Sequence, residues 1–507
     1  MINLDANIVA VTLPAISRSF QADFTAIEWV ISTYTLTFAC LVLPAGAFAD
    51  RYGRKLTLLI GLGIFTGASL LCGAAPSVVV LNGARALQGV GAALQLSAAL
   101  AILSHEFRGV ERARAFAFWG AVVGIAITLG PLAGGTITQA LGWEWAFYIN
   151  VPIGVGLIAL VWYVVGDSAD PSAETIDVPG FFLFSGGMFT LTLALISGNA
   201  RGWSNLLVLI AFAIAAILLA GFFLAEALQD RPMIDLYLFG RSTFLGANIA
   251  ALAFAVSLLT MLTYLPTYLQ NGLGFAPQMA GLLMLPLAVP LFIVPRITAK
   301  YLSRWLSGRA LLTTGLVVVA AGLSWLALSV QYFNYSALIG GLILAGIGAG
   351  ILNGEVVKVG MTVVPPERAG MASGISGTVR FTGIVVGFAA LGVVLAERIR
   401  VSLNHGLDAL NLAAKAPGSE RLELTRRVIA GDLSGAASIA PPGLRDSIHS
   451  LAFVSFGAGF QAILIVAAAF AAISACLTWA LVRHEDTAPI LHKSEELQAD
   501  VGLPPLK

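Results

Sequence analysis

The strongest constraint on this chain is an alternation that runs its whole length. Apolar runs of about the 20 residues a helix needs to cross hydrocarbon are parted by short charged clusters. Such runs lie at 28–48, 56–75, 78–103, 113–137 and 145–165, then at 178–197 and 205–225. Six more follow at 243–269, 277–299, 309–330, 335–360, 371–396 and 452–482, and a shorter one, 2–16, opens the chain. The pattern predicts an all-α membrane protein with fourteen transmembrane helices, grouped six, two and six. Soluble domains are roughly a quarter charged. Here 11% of 507 residues are charged and 58% are hydrophobic, too little charge to cover a water-facing surface. At about 1.5 Å per residue, 2–16 would make a helix of ~22 Å against a hydrocarbon core of roughly 30 Å. The expectation is therefore that the natural product starts upstream, or that the first helix is truncated.

Basic loops stay on the cytoplasmic side, so the loops report orientation. With the N-terminus inside, seventeen Lys and Arg fall in inner segments, among them Arg51, Arg54, Lys55, Arg108, Arg231, Arg296 and Arg309. The short outer loops hold only Arg18 and Arg201. Both termini are thus expected in the cytoplasm. The outer segment 397–450, which ends in Pro441-Pro442-Gly443, reads as a helical hairpin or a partly disordered loop, and the tail 483–507 as charged and mobile. No removable signal peptide is expected at the N-terminus. No basic tract suggests nucleic acid. Cys40, Cys72 and Cys476 lie inside apolar runs without metal-ligand spacing and read as packing residues.

Several motifs stand on this frame. The loop after the second helix carries Gly46, Asp50, Arg51, Gly53, Arg54 and Lys55. Gly46 would allow close helix contact, Asp50 could pair with Arg54 or a helix end, and Gly53 would permit a tight turn. The fourth helix carries Arg85-Ala-Leu-Gln88-Gly89-Val-Gly91, and the fifth carries Gly130-Pro131-Leu-Ala-Gly134-Gly135. The first helix carries Leu4-Asp5-Ala-Asn-Ile8 through Leu13-Pro14, and the sixth opens with Trp143-Glu-Trp145 through Asn150-Val151-Pro152. The loop spacing resembles the signature of the major facilitator superfamily. The helix motifs resemble its fourteen-helix drug:proton antiporter branch of multidrug efflux proteins, from the first helix to about Ile399. Two departures stand out: Ala126 where many antiporters have a further glycine, and a stretch Arg296–Arg309 that keeps basic residues but no acid.

The resemblance implies two six-helix bundles, 1–165 and 242–482, with a cavity between them and two extra helices at 178–225. It implies a multi-pass protein of a bacterial cell (inner) membrane that works by alternating access. The partners would be a small-molecule substrate, protons and the lipid bilayer, with any accessory export partner left open. It implies no enzymatic chemistry, no cofactor and no metal. The loop 50–55 would be an inner-face latch, and Gly130, Pro131, Gly134 and Gly135 a hinge or seal where the fifth helix meets the second bundle. Plain helix packing would explain those glycines too.

Charges inside the membrane are costly and usually face a bundle interior. The clear intramembrane acids are Asp5 and Glu355, with Glu28 and Glu226 near helix ends, and the intramembrane bases are Arg85 and Arg380. Every histidine falls in a loop or the tail, so an intramembrane proton carrier must be a carboxylate. Asp5 is the leading carrier, being the acid inside a family motif, and a capping or pairing role is its bland alternative. Glu355, three residues before Lys358, could be a salt-bridged gate or a ligand. The function expected is proton-coupled export of amphipathic, drug-like molecules. An exporter of one endogenous metabolite, such as an antibiotic or siderophore, is the main rival, and a non-transporting membrane sensor or scaffold is another.

Overall fold

The computed structural model describes residues 1–22, 24–107, 109–168, 177–229, 236–364, 369–409, 418–439 and 444–488. Among these there are helices and connecting turns but no strand. Leaving aside the 4-residue helix Leu236–Phe239, the helices in chain order are α1 (Ile2–Phe20), α2 (Phe24–Tyr52), α3 (Arg54–Gly73), α4 (Val78–Glu106), α5 (Gly109–Leu141) and α6 (Trp145–Val164). Next come α7 (Val178–Arg201), α8 (Leu206–Leu228), α9 (Ser242–Gly272), α10 (Pro277–Leu283), α11 (Leu285–Trp305), α12 (Gly308–Tyr332) and α13 (Tyr335–Met361). The last are α14 (Ala369–Ala409), α15 (Gly418–Ala430), α16 (Leu433–Ser438) and α17 (Arg445–Leu481). Every apolar run falls on a helix. Among the described residues ten helices are both long and apolar enough to cross a membrane, while α2 and α7 carry shorter apolar stretches, 26–42 and 179–195. The chain is a multi-pass membrane protein.

Polar side chains at the loop ends start the helices. Asp177 accepts from the Gly180 amide, Asn205 from Leu207 and Asn334 from Ser336, and each satisfies a donor the first turn leaves free. Small residues then set how close the helices come. A Cβ on Gly91 would lie 2.8 Å from the Gly61 carbonyl, and one on Gly89 2.9 Å from Thr37 Cβ. Without side chains there, α4 nests between α3 and α2, and close backbone approach supplies the packing that helices in lipid rely on. Gly315 and Gly348 do the same between α12 and α13.

The helix α9 is broken by two π-helical turns, Ala255–Leu259 and Tyr268–Gly272. Thr260 Oγ1 donates to the Ala255 carbonyl at 3.0 Å, and Gly383 and Gly387 of α14 lie against the first π turn. The pair α7–α8 lies outside the main packing, along the line where α2 meets α14. The Ser185 hydroxyl donates to the Cys40 carbonyl, and Phe184, Met188 and Phe222 share an apolar cluster with Leu36 and Val385. Apart from Val208, Ala215, Phe222 and Glu226, the apolar surface of α8 is not buried, as befits a helix facing lipid.

Two expectations need correction, and a third is narrowed to its helical form. The first helix does not stop near residue 16. It runs for 19 residues to Phe20, about 28 Å, because Ser17, Arg18 and Ser19 continue the helix until Gln21 turns left-handed at φ 49° and donates back to the Ser17 carbonyl. The segment 397–450 is largely helical where described: α14 continues to Ala409, α15 and α16 follow, and α17 already begins at Arg445. Pro441-Pro442-Gly443 lies outside the described residues. The start of the tail is docked rather than mobile, since the Thr243 hydroxyl donates to Asp486 and the Arg309 amide to Thr487 Oγ1. Residues 489–507 lie outside the described residues.

Candidate functional site

Among the described residues, a cluster of buried polar side chains centres on Asp5, which is fully buried. Arg85 Nη1 donates to Asp5 Oδ2 at 2.7 Å, and Gln88 Nε2 and Asn150 Nδ2 donate to Oδ1 at 3.0 and 2.7 Å. Arg85 is held on every side. Its Nη1 also reaches Gln88 Oε1 at 2.6 Å, its Nε donates to the Val30 carbonyl at 3.0 Å, and its guanidinium lies 4.1 Å from the Tyr34 ring centroid. Gln88 Nε2 donates onward to Ser69 Oγ at 2.8 Å. One continuous network thus ties α1, α2, α3, α4 and α6. The i, i+3 spacing of Arg85 and Gln88 puts both on one face of α4. Removing one partner of a buried ion pair costs about 3–5 kcal/mol, because the other charge is left unpaired.

Asp5 stands near the start of α1, and a truncated first helix would leave it near the inner face. Yet Arg85 is about 30 Å, at ~1.5 Å per residue, from the far end of α4 at Glu106. Val30 and Asn150 likewise lie near the ends of α2 and α6 that close together with the end of α1. The depth of Asp5 is set by the helices around it, not by its distance from the first residue.

From this network α1 leads directly to the second half of the chain. Gln270 Nε2, on α9, donates to the Val11 carbonyl at 2.8 Å. The glycines of α5 face two ways. A Cβ on Gly134 would sit 2.8 Å from the Ile8 carbonyl of α1, and one on Gly135 2.9 Å from Gln278 Cα of α10. From the other side, a Cβ on Gly281 of α10 would lie 2.8 Å from the Pro131 carbonyl carbon. Gly130 packs on Asn7. So Gly130 and Gly134 serve packing within the first half, while Pro131 and Gly135 meet the second half.

The remaining residues lie apart from this centre. Glu355 is buried on α13, and both its oxygens accept from Lys358 Nζ at 3.1 Å. Arg380 on α14 is half-buried, with its guanidinium 5.7 Å from the Phe254 ring centroid, and the next residue, Phe381, meets Phe38 of α2 edge-on at 4.0 Å. In the loop after α2, Gly53 takes φ 107°, a conformation that suits glycine, and the Arg54 amide donates to the Ser168 carbonyl at 2.8 Å. Arg51 and Lys55 lie over the rings of Tyr52 and Trp162. The side chain of Asp50 is outside the described residues. At Gly46 no described atom lies within 4 Å of where its Cβ would be.

Sequence reasoning missed Asn150 and Ser69 as partners. Asn150 stands in the quoted sixth-helix motif, but nothing local indicates that a residue 145 positions from Asp5 would donate to it.

This arrangement belongs to a known class of membrane transporters. The description of the Major Facilitator Superfamily matches residues 1–257 and 231–388, and the chain belongs to that superfamily. It is 36% identical to the multidrug resistance protein Stp of Mycobacterium tuberculosis, over 80% of this chain and 76% of that one. It is 30% identical to the tetracenomycin C resistance and export protein of Streptomyces glaucescens, over 93% and 88% of the two chains. These relatives agree with the motifs in setting it in the drug:proton antiporter branch. The fold is similar to the crystal structure of a bacterial homologue of the human lysosomal transporter Spinster, with a TM-score of 0.61 at 17% identity over 96% and 95% of the chains.

Proposed function

We propose that this protein exports small amphipathic, drug-like molecules in exchange for protons, by alternating access between a six-helix bundle at 1–165 and another at 242–482. The helices at 178–225 brace the line between the two bundles, and both termini face the cytoplasm. The observation that carries this reading is the buried Asp5–Arg85 pair on α1 and α4, linked through α1 to the meeting of the two halves. A proton on Asp5 removes the anionic acceptor that Arg85, Gln88 and Asn150 share. The guanidinium then keeps Gln88, the Val30 carbonyl and the Tyr34 and Phe147 rings, and α1 is released from α4. Because Val11 and Ile8 of the same helix touch α9 and α5, that release is felt where the halves meet. Proton uptake thereby becomes a bias on bundle rocking.

The test is transport by purified protein in liposomes under an imposed pH gradient, with and without a protonophore. Asp5→Asn is expected to abolish proton-driven efflux while leaving substrate-gradient exchange partly intact. Unchanged proton coupling in that variant would exclude Asp5 as carrier and make Glu355 the next choice. The name of the S. glaucescens relative favours a second reading, export of a single antibiotic-like metabolite. A substrate panel in the same liposomes separates the two, and absence of any transport would favour a sensor or scaffold.

A further inference from the structure

A second buried carboxyl stands outside this network. Glu28 lies in the first turns of α2, 1% exposed, and neither of its oxygens has a hydrogen-bond partner among the described residues. Its neighbours belong to the other half of the molecule. A Cβ added at Gly392 of α14 would run into Glu28 Oε1 and come within 3.0 Å of the Tyr264 hydroxyl of α9. Gly392 is thus the gap in α14 that admits the carboxyl head. The Tyr264 hydroxyl proton is already given to the Phe388 carbonyl at 2.9 Å, and the Tyr264 ring stacks on Phe388 at 4.8 Å.

Charged groups on the elements packed around Glu28 have partners of their own among the described residues. Arg85 of α4 touches α2 at the Val30 carbonyl and Tyr34 ring, but its charge is bound to Asp5 and Gln88. Glu397 and Arg400, further along α14, pair with each other at 2.7 Å on the exposed surface. On α15, which also touches α2, Arg421 faces Asp408 and Arg427 faces Glu423. Asp5 of α1 is saturated by its own donors. An ionised carboxylate sealed among apolar groups without a donor is prohibitively costly. The closed seam therefore accommodates Glu28 as the neutral acid.

We propose that Glu28 is a proton-operated latch on the seam between α2, α9 and α14: protonated it lets the seam close, and on opening it meets water and gives the proton back. The proton on closing comes from bulk water and bonds to a carboxylate oxygen of Glu28, and on opening it returns to bulk water. Glu28 lies at the end of the bundle where α1 finishes and α2 begins, which is the outer end in the orientation proposed above. It takes and returns its proton on that same side, so it adds nothing to the net proton flux carried by Asp5. The latch rests on the alternating-access reading, but it sets the external pH dependence of opening and not the coupling stoichiometry.

The experiment measures the seam directly. Ser19 and Tyr332 are exposed at this end, one in each half, and of the native thiols Cys476 is exposed whereas Cys40 and Cys72 are buried. Spin labels on Ser19→Cys and Tyr332→Cys in a Cys476→Ser background report the open and closed seam by pulsed dipolar distances between pH 5 and 9. In the otherwise wild-type chain the closed-to-open ratio is expected to fall with rising pH, by up to about tenfold per pH unit for one linked proton. Glu28→Gln and Glu28→Leu should both stay closed across the range, and the liposome reversal potential of Glu28→Gln should keep the wild-type proton-to-substrate ratio. A wild-type seam that ignores pH, or a pH shift retained in both variants, overturns the latch. Loss of proton coupling in the wild-type liposomes would instead overturn the function proposed for Asp5 while leaving the distance measurement to decide on Glu28.

Discussion

Asp5 and Glu28 are two carboxyls buried in the same half of the molecule, each within reach of α2, and they have opposite surroundings. Asp5 receives donors from Arg85, Gln88 and Asn150 and is locked inside one bundle. Glu28 receives none from described residues and faces the other half across Gly392. Burial alone therefore says little about what an intramembrane acid does. The partner set decides whether it works as a charge held in a network or as a neutral group whose charge would force a seam apart.

The contrast can be broken first at Arg85. Arg85→Ala leaves the Asp5 carboxylate buried and unpaired and should cost about 3–5 kcal/mol, read as a large fall in thermal stability in detergent. The double variant Asp5→Asn with Arg85→Gln should recover much of that loss, because no charge is then left without a partner. Equal stability of Arg85→Ala and wild type would mean that Asp5 is not ionised in this network.

A smaller effect is expected at the meeting of α5 and α10. Gly281→Val puts a side chain into the backbone of Pro131 and Leu132. The closed arrangement should then be penalised by about 1–3 kcal/mol, the usual range for overpacking, with slowed transport and a seam biased open in the spin-label distances. Gly63→Ala on α3, where nothing lies within 4 Å of the added Cβ, serves as the silent control.

The smallest effect is the one most particular to the comparison. If Glu28 is neutral in the closed seam, Glu28→Gln should change stability by less than about 1 kcal/mol at pH 6, since no ion pair or hydrogen bond is removed. Asp5→Asn should lose more than that in the same assay. A Glu28→Gln loss as large as that of Asp5→Asn would show that Glu28 has a donor after all.

Much of this was legible in the sequence. Apolar runs of spanning length, the loop signature and the fourth- and fifth-helix motifs led to the superfamily without any coordinate. The glycines of α4 and α5 announced close helix approach. The end of α1 was not legible, because Ser17-Arg18-Ser19 breaks the apolar pattern but not the backbone hydrogen bonding. The extension of α14 to Ala409 escaped for the same reason. Apolar periodicity reports which part of a helix lies in lipid, not where the helix ends.

What the sequence determined by itself is the class of solvent and the inventory of charges. Long apolar runs must form helices in lipid, since only there can each backbone group be satisfied within its own segment. The few acids and bases left inside them had to matter, because isolated charge is so costly there. What only the tertiary structure decided is which of those charges meet. Asp5 and Arg85 are 80 positions apart, Asp5 and Asn150 are 145 apart, and Glu28 faces Gly392 from the far end of the chain. Pairing depends on the depth and rotation of each helix against its neighbours. Those are set by small residues packing across helix interfaces, which no local pattern records.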